Sequence, residues 1–317
     1  MWAWAGPDAA QLAEAPDLAV LVEDRREGKE HREFEEAWTS CSFGIAIGSG
    51  CMDFLARNVR AAPYSALFLR ASFGIMKTQF CIVGATHGTG LLITQQLLQS
   101  GAMVRVLARN PDKVRQLLGN RVDVCHGDVS DACSVCDAIA EEQTAIFFTV
   151  AATGGIDGRG LFASKTTIRN VTYQGLINLV DAARSRGFQG RIILPSVIGA
   201  DRSSVMIRFL DKIKSGLQRN IIEREIYLRA SGLDYTIVRA PILTNAPAGD
   251  ANIRIARATN KLTAGPKISR GDLARVLILA SQENIASRKT FDLFSSKGVA
   301  PSDEQILEQI EQIPADI

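Results

Sequence analysis

Gly84, Gly88 and Gly90, placed between an apolar run and a helical repeat, carry the strongest chemical signal in the chain. In Lys77-Thr-Gln-Phe-Cys-Ile-Val-Gly-Ala-Thr-His-Gly-Thr-Gly90, Phe80 to Val83 predict a buried strand and the glycines a tight turn. Leu91 to Leu98 then repeat apolar positions at helical spacing, so the turn opens a helix. Strand, turn and helix together can cradle a diphosphate. A side chain on the glycines would block the approach of backbone to phosphate or of helix to strand, and the free N–H groups of the first helical turn would face the anion. Gly84, Thr86, His87, Gly88, Thr89 and Gly90 are therefore the candidate diphosphate contacts. A turn that serves packing alone is the competing reading. The second strand, Met103-Val-Arg-Val-Leu-Ala108, arrives at βαβ distance and favours a dinucleotide.

The end of that second strand selects between cofactors. A site for NAD(H) usually places a carboxylate there, about twenty residues beyond the glycine turn, to hold the ribose 2′-hydroxyl. This chain has Arg109, followed by Asn110. A guanidinium fork suits a 2′-phosphate, because it can reach two phosphate oxygens at once. The expectation is NADP(H) over NAD(H), with Arg109 as the discriminating residue; a solvated helix-entry arginine is the alternative.

These groups need a scaffold that brings strand ends together. From Met76 the sequence alternates strand and helix: a Pro111-started helix to about Leu118, a strand Arg121 to His126, a helix from about Asp131 to Glu142, and a strand Thr144 to Val150. A long helix from about Ser164 to Arg186 and a strand Arg191 to Pro195 follow. The second half reads as a helical region from about Ser203 to Ala230, a strand Asp234 to Arg239, and a Pro-, Ala- and Asn-rich segment from Ala240 to Asn252. A helix Arg270 to Ser281, a strand Lys289 to Phe294 and a helix from Ser302 complete it. Apolar strands alternating with helices imply a doubly wound, Rossmann-like α/β fold, a parallel sheet with helices on both faces. The glycine-rich stretch Ala151 to Gly160, following the fourth strand, should lie over cofactor or substrate, since ligands of such folds bind outside the carboxyl ends of the strands; a flexible connector is the other reading.

Composition narrows the function classes. The chain has 317 residues, 46% hydrophobic and 22% charged, with a net charge of only +2. Without a basic block it offers no footprint for nucleic acid or an anionic membrane surface, so the expected partner is a small-molecule substrate. Residues 1–75 differ in character, running from Met1-Trp-Ala-Trp to the charged stretch Glu23 to Glu36. They hold no apolar run of membrane-spanning length and match neither a secretory nor a transit pattern. They read as an appendage, with residues 76–317 forming the nucleotide-binding domain, and a cytoplasmic location is expected. Cys133 and Cys136 form a CxxC but lack the second pair that a zinc site needs, and Cys81 reads as a small hydrophobe within a strand.

Several longer motifs carry a family resemblance over nearly all of residues 76–295. They are Gly84 to Gly90, Leu107-Ala-Arg-Asn-Pro-Asp-Lys113, Gly127-Asp-Val-Ser-Asp131, Glu225-Ile-Tyr-Leu-Arg-Ala-Ser-Gly-Leu-Asp-Tyr-Thr-Ile-Val-Arg239 and Ile268-Ser-Arg-Gly-Asp-Leu-Ala274. The chain resembles the atypical short-chain dehydrogenase/reductases, in the group of NmrA-like and NAD(P)H-binding proteins. It departs from them at His87, where the family's glycine turn has a further glycine, and at Arg239-Ala240-Pro241, where Arg-Pro is usual. The resemblance implies that Asp128 and Val129 border the adenine and that Ala151 and Ala152 run beside the nicotinamide-side ribose. Asp128 could also cap the helix starting near Ser130.

Ordinary members of that superfamily protonate the product alkoxide with a Tyr made acidic by a Lys four residues on. Here Tyr173, Tyr227 and Tyr235 are followed at that spacing by Ile177, Ser231 and Arg239, and Ile221 stands where many relatives keep a Lys. Ser196 matches the superfamily's active-site Ser and is the candidate catalytic group, as a hydrogen-bond partner of the reacting atoms; a Ser that merely closes a strand is the competing reading. Three functions fit: an NADPH-dependent reductase of quinones, flavins or enones that needs no Tyr-Lys relay, a non-catalytic NADP(H)-dependent sensor, or an assembly protein stabilised by nucleotide.

Overall fold

The computed structural model describes residues 79–150, 165–202 and 216–316, apart from 259, 262 and 264. The expectations for residues 1–75, for the stretch 151–160 with Ala151 and Ala152, and for the start of the helix near Ser203 lie outside the described residues.

The described chain runs β1 (Gln79–Val83), α1 (Gly88–Gln99), β2 (Met103–Ala108), α2 (Pro111–Leu118), β3 (Val122–His126), α3 (Ala132–Ala138) and β4 (Gln143–Phe148). It continues α4 (Lys165–Arg169), α5 (Gly175–Ser185), β5 (Arg191–Val197), α6 (Leu217–Arg229), β6 (Asp234–Ala240), β7 (Ile242–Thr244), β8 (Asn252–Arg257) and β9 (Lys267–Ser269). Last come α7 (Arg270–Gln282), β10 (Lys289–Ser296) and α8 (Asp303–Glu311). One sheet holds eight strands in the order β3-β2-β1-β4-β5-β6-β10-β8. Every pairing in it is parallel except that of β8 with β10. The strand order reverses direction between β1 and β4, and that reversal opens a crevice at their carboxyl ends.

Alternation along each strand sends neighbouring side chains to opposite faces. Ile82, Val106, Phe147, Ile193, Val238 and Phe291 meet α1 and α7 through Ile93, Leu97, Val276 and Leu277. Cys81, Val83, Ile146, Phe148, Ile192 and Ile237 meet α3, α5 and α6 through Val135, Leu179, Ala183 and Leu228. Apolar residues at both faces explain why these strands read as unbroken hydrophobic runs. Cys81 is fully buried, and burial pushes its thiol up to about 12, which removes it from thiolate chemistry.

The structure corrects three element expectations. The helix expected to reach Glu142 stops at Ala138, because Ile139 turns into an extended conformation (φ −95°, ψ 131°) and buries its side chain. The helix from Lys165 to Ser185 contains a π turn at Asn170–Gln174, where buried Thr172 donates to the Ile168 carbonyl at 2.6 Å. In the Pro-, Ala- and Asn-rich segment, to which no element was assigned, Ile242–Thr244 forms a strand and pairs in parallel with Lys267–Ser269. Among the described residues, no helix is long and apolar enough to cross a membrane.

Candidate functional site

The crevice between β1 and β4 is lined by the glycine turn. Gly84 adopts φ +104°, and a Cβ there would stand 2.8 Å from Thr149 Oγ1 and 3.0 Å from the Val150 nitrogen. Thr149 fixes that approach by donating its backbone N–H and its hydroxyl to the Val83 carbonyl, each at 2.9 Å. Gly90 is the tightest of the three: an added Cβ would lie 2.3 Å from both the Gly84 carbonyl oxygen and Thr149 Oγ1. At Gly84 and Gly90 the turn is bare backbone because its walls leave no room for a side chain. Helix α1 begins at Gly88 behind the N-cap His87, with no side-chain cap and no acidic residue in its first turn, so its positive end faces the crevice.

His87, the position where the family pattern would have glycine, bridges to the next βα unit. Lys113 Nζ lies 3.0 Å from His87 Nε2, and Thr86 Oγ1 lies 3.0 Å from Nδ1. An ammonium only donates, so in this contact His87 Nε2 is the acceptor. Lys113 is held in the first turns of α2 by Asn110, whose Oδ1 accepts the Lys113 N–H at 3.0 Å as the helix N-cap. Arg109 stands two residues before that helix with 79% of its side chain exposed. Its Nε is 3.7 Å from Asp128 Oδ2, an exposed pair that holds the guanidinium only loosely.

Asp128 and Val129 sit at the end of β3 beside Arg109. Asp128 Oδ1 accepts from the Ser130 N–H at 2.9 Å and from its hydroxyl at 2.7 Å, which shapes the turn. The capping role expected of Asp128 belongs instead to Asp131, which accepts from the N–H groups of Cys133 and Ser134. One reason is spacing, since α3 starts at Ala132 rather than at Ser130. Asn178 donates to the Val129 carbonyl at 3.0 Å, and a Cβ on Gly175 would meet Val129 at 2.8 Å, so α5 presses the Val129 backbone into place.

Ser196 lies at the carboxyl end of β5, 6% exposed, and donates its hydroxyl to Glu225 Oε1 at 2.5 Å. Arg239 in β6, in register with Ser196, binds Glu225 Oε2 at 2.6 Å and Asp201 at 3.1 Å, and Arg229 adds a bond to Glu225 Oε2 at 2.9 Å. Burial pushes the Glu225 carboxyl up, but the bonds and charge of Arg239, with Ser196 and Arg229, outweigh it and hold the group below its ordinary value. The Ser196 proton is therefore committed to a carboxylate, and Ile221 is a buried apolar residue.

Sequence reasoning overlooked two groups at this edge. Arg270, the first residue of α7, lies close enough to Gly88 that a Cβ there would be 3.7 Å from its Nε, and it donates to Asn245 Oδ1 at 2.6 Å. It belongs to the Ile268–Ala274 motif but sits far away in sequence from the turn it overhangs. Asp292 in β10 is fully buried, and its Oδ2 accepts from the Asn260 backbone and amide at 3.0 and 2.8 Å while Oδ1 has no partner among the described residues. Burial pushes the carboxyl above its ordinary 3.8, against the Asn260 bonds and the Arg239 charge, with Asp201 reinforcing the rise. The folded state then holds a proton that the unfolded chain has released, so stability falls as pH rises from the unfolded value through the folded one. Asp292→Asn is expected to melt higher than the wild type at about pH 8 and to lose that advantage as pH falls to about 4. A thermal-midpoint series over pH checks this; a gap independent of pH would refute it.

Comparison with known proteins gives this geometry its context. A family described as NAD(P)H-binding matches residues 84–284. An uncharacterised chloroplastic protein of Arabidopsis thaliana is 29% identical over 174 residues, covering 52% of this chain and 59% of that one, so the alignment spans less than two thirds of the relative. The oxidoreductase YlbE of Lactococcus lactis superposes with a TM-score of 0.57 at 20% identity, over 73% of this chain and 95% of that one. A short-chain dehydrogenase/reductase of Veillonella parvula in complex with NADP gives 0.52 at 17% identity, over 71% and 99%. At these identities the two structures testify to the fold, and the family match supplies the rest. A glycine turn at the switch point of a doubly wound sheet lies within a match that runs from its first glycine through α7, and the chain belongs to the family described as NAD(P)H-binding.

Proposed function

We propose that the protein is an NADPH-dependent reductase of a small conjugated acceptor of the quinone, flavin or enone type. The observation that carries this reading is the engagement of Ser196 by Glu225 beside the apolar Ile221. An acceptor whose reduced form takes its proton from water needs no relay, whereas a simple ketone would. The bound nucleotide supplies a hydride, so that NADPH, acceptor and one proton give NADP⁺ and the reduced acceptor. The residues of the chain bind and orient. The turn Gly84 to Gly90, including Thr86 and Thr89, receives the diphosphate on its backbone, with Arg270 overhead. Asp128 and Val129 wall the adenine side. Ser196, its proton already donated, offers lone pairs and fixes the pocket floor rather than polarising a substrate oxygen.

Preference for NADP(H) rests on Arg109, with Lys113 as a second cation one turn into α2. The exposed guanidinium needs only to leave a weak surface pair with Asp128 to reach a 2′-phosphate. Arg109→Asp is expected to weaken NADPH binding about tenfold or more, the scale of one charge-assisted bond, while NADH binding holds or improves. Calorimetry with both nucleotides checks it, and unchanged affinity for both would remove Arg109 from the site.

The same engagement of Ser196 by Glu225 favours a second reading, an NADP(H)-dependent sensor or assembly factor without turnover. NADPH oxidation across quinones, flavins and enones separates the two: turnover with any of them supports the reductase, and tight nucleotide binding without turnover supports the sensor. The expected cytoplasmic location is weighed against the Arabidopsis relative, which is chloroplastic by name.

A further inference from the structure

Three arginines are buried among the described residues: Arg191, Arg224 and Arg239. Arg191 is paired with Asp234 at 2.7 Å and Arg239 with Glu225 at 2.6 Å. Arg224 differs. Only 6% of it is exposed, its Nη2 donates to the Pro195 carbonyl at 3.1 Å, and its buried Nε finds no acceptor among the described residues. No carboxylate among the described residues lies within ion-pair distance of it; its neighbour Glu225 turns to Ser196, Arg239 and Arg229. A guanidinium does not discharge as a lysine can, so burying one without an anion is costly unless an anion arrives from outside. Burial pushes Arg224 down to about 10, with Glu225 opposing, which leaves it charged at neutral pH.

Its location says where that anion would come from. Arg224 lies one helical turn beyond Ile221 on the face of α6 that is buried against the sheet, and its hydrogen-bond partner Pro195 precedes Ser196 at the carboxyl end of β5. Ligands of doubly wound folds occupy this edge of the sheet. The cation is therefore at the substrate side of the crevice, on the opposite side of β1 and β4 from Arg109 and Lys113. We infer that Arg224 is an anion-binding residue of the substrate pocket and that the acceptor carries a carboxylate, received on the guanidinium that Pro195 holds at the carboxyl end of β5. This rests on the reductase reading and narrows its substrate class from conjugated acceptors to conjugated acids.

The test uses benzoate and cinnamate, each against its neutral amide, titrated calorimetrically into the full chain with and without saturating NADP⁺. The wild type should bind each carboxylate about tenfold or more tightly than its amide, and Arg224→Gln should abolish that difference while keeping NADPH affinity. Arg224→Lys, which keeps the charge but loses the fork, should retain part of it. Equal binding of acid and amide by the wild type, absence of binding by either acid, or undiminished acid binding by Arg224→Gln overturns the inference. Should Arg224→Gln fail to fold, the wild-type comparison and Arg224→Lys decide. Nucleotide titration alone judges the reductase reading, so a chain that binds the acids but no nucleotide would lose that reading while keeping the anion site.

Discussion

Glu225→Ala is expected to lose about 3–5 kcal/mol of folding stability, the scale seen when one partner of a buried ion pair is removed. Arg239, 4% exposed, would keep its ion pair with the half-exposed Asp201 but lose its shortest one, and the Ser196 hydroxyl and Arg229 would lose an acceptor at the same moment. The loss would come less from the missing attraction than from the positive charge left behind in a dry place. Glu225→Gln, which keeps the shape and one acceptor, should lose less. The effect should also depend on pH with a definite sign. Glu225 is held below its ordinary 4.5, so its contribution is fully present above that value and disappears as pH falls through the folded one. Urea unfolding at neutral pH and in acid would measure both. A loss under about 1 kcal/mol at neutral pH would show that water already reaches this network.

Gly90→Ala should abolish nucleotide uptake and destabilise the domain by about 1–3 kcal/mol, the usual range for forcing a group into a filled space. The added carbon would overlap the Gly84 carbonyl and Thr149 Oγ1, each 2.3 Å away, and the first of these is backbone that cannot rotate aside. Helix α1 must then lift from the turn, which pulls its N–H groups away from the diphosphate position. Gly265→Ala is the control, since a Cβ there meets nothing within 4 Å. Calorimetry with NADPH and the thermal midpoint would report the two losses separately. Wild-type behaviour by Gly90→Ala would mean that the turn is not the cradle.

What could be read in advance followed from signals local to a few residues. The runs Met103–Ala108 and Pro111–Leu118 matched their observed bounds, because alternating burial, a proline at the helix start and the Asn110 cap are all written within one short window. Strand β8 was overlooked although Ile253 and Ile255 alternate with polar residues; its first residue Asn252 and the preceding Ala248 and Asp250 mask so short a pattern, and pairing with distant β10 makes it a strand. The same divide runs through the site. Glycines whose restriction comes from an adjacent strand were legible. Arg270 over Gly88, Asp292 with its unpartnered oxygen, and the commitment of Ser196 to Glu225 were not, since each arises where the sheet brings together segments far apart in the chain. Asp131 rather than Asp128 as the α3 cap shows the remaining ambiguity, two equivalent side chains three residues apart with only backbone geometry to choose between them.

The packing of α7 against α1 ties the order of assembly to the site. The first helix follows the glycine turn directly, yet the apolar surface that covers it arrives only after most of the domain has been synthesised, with Leu273, Val276 and Leu277. Closing so long a stretch of chain is slow, and little rewards it until the intervening strands are paired. The nucleotide cradle, though encoded at the start of the domain, is therefore among the last features to become rigid during folding.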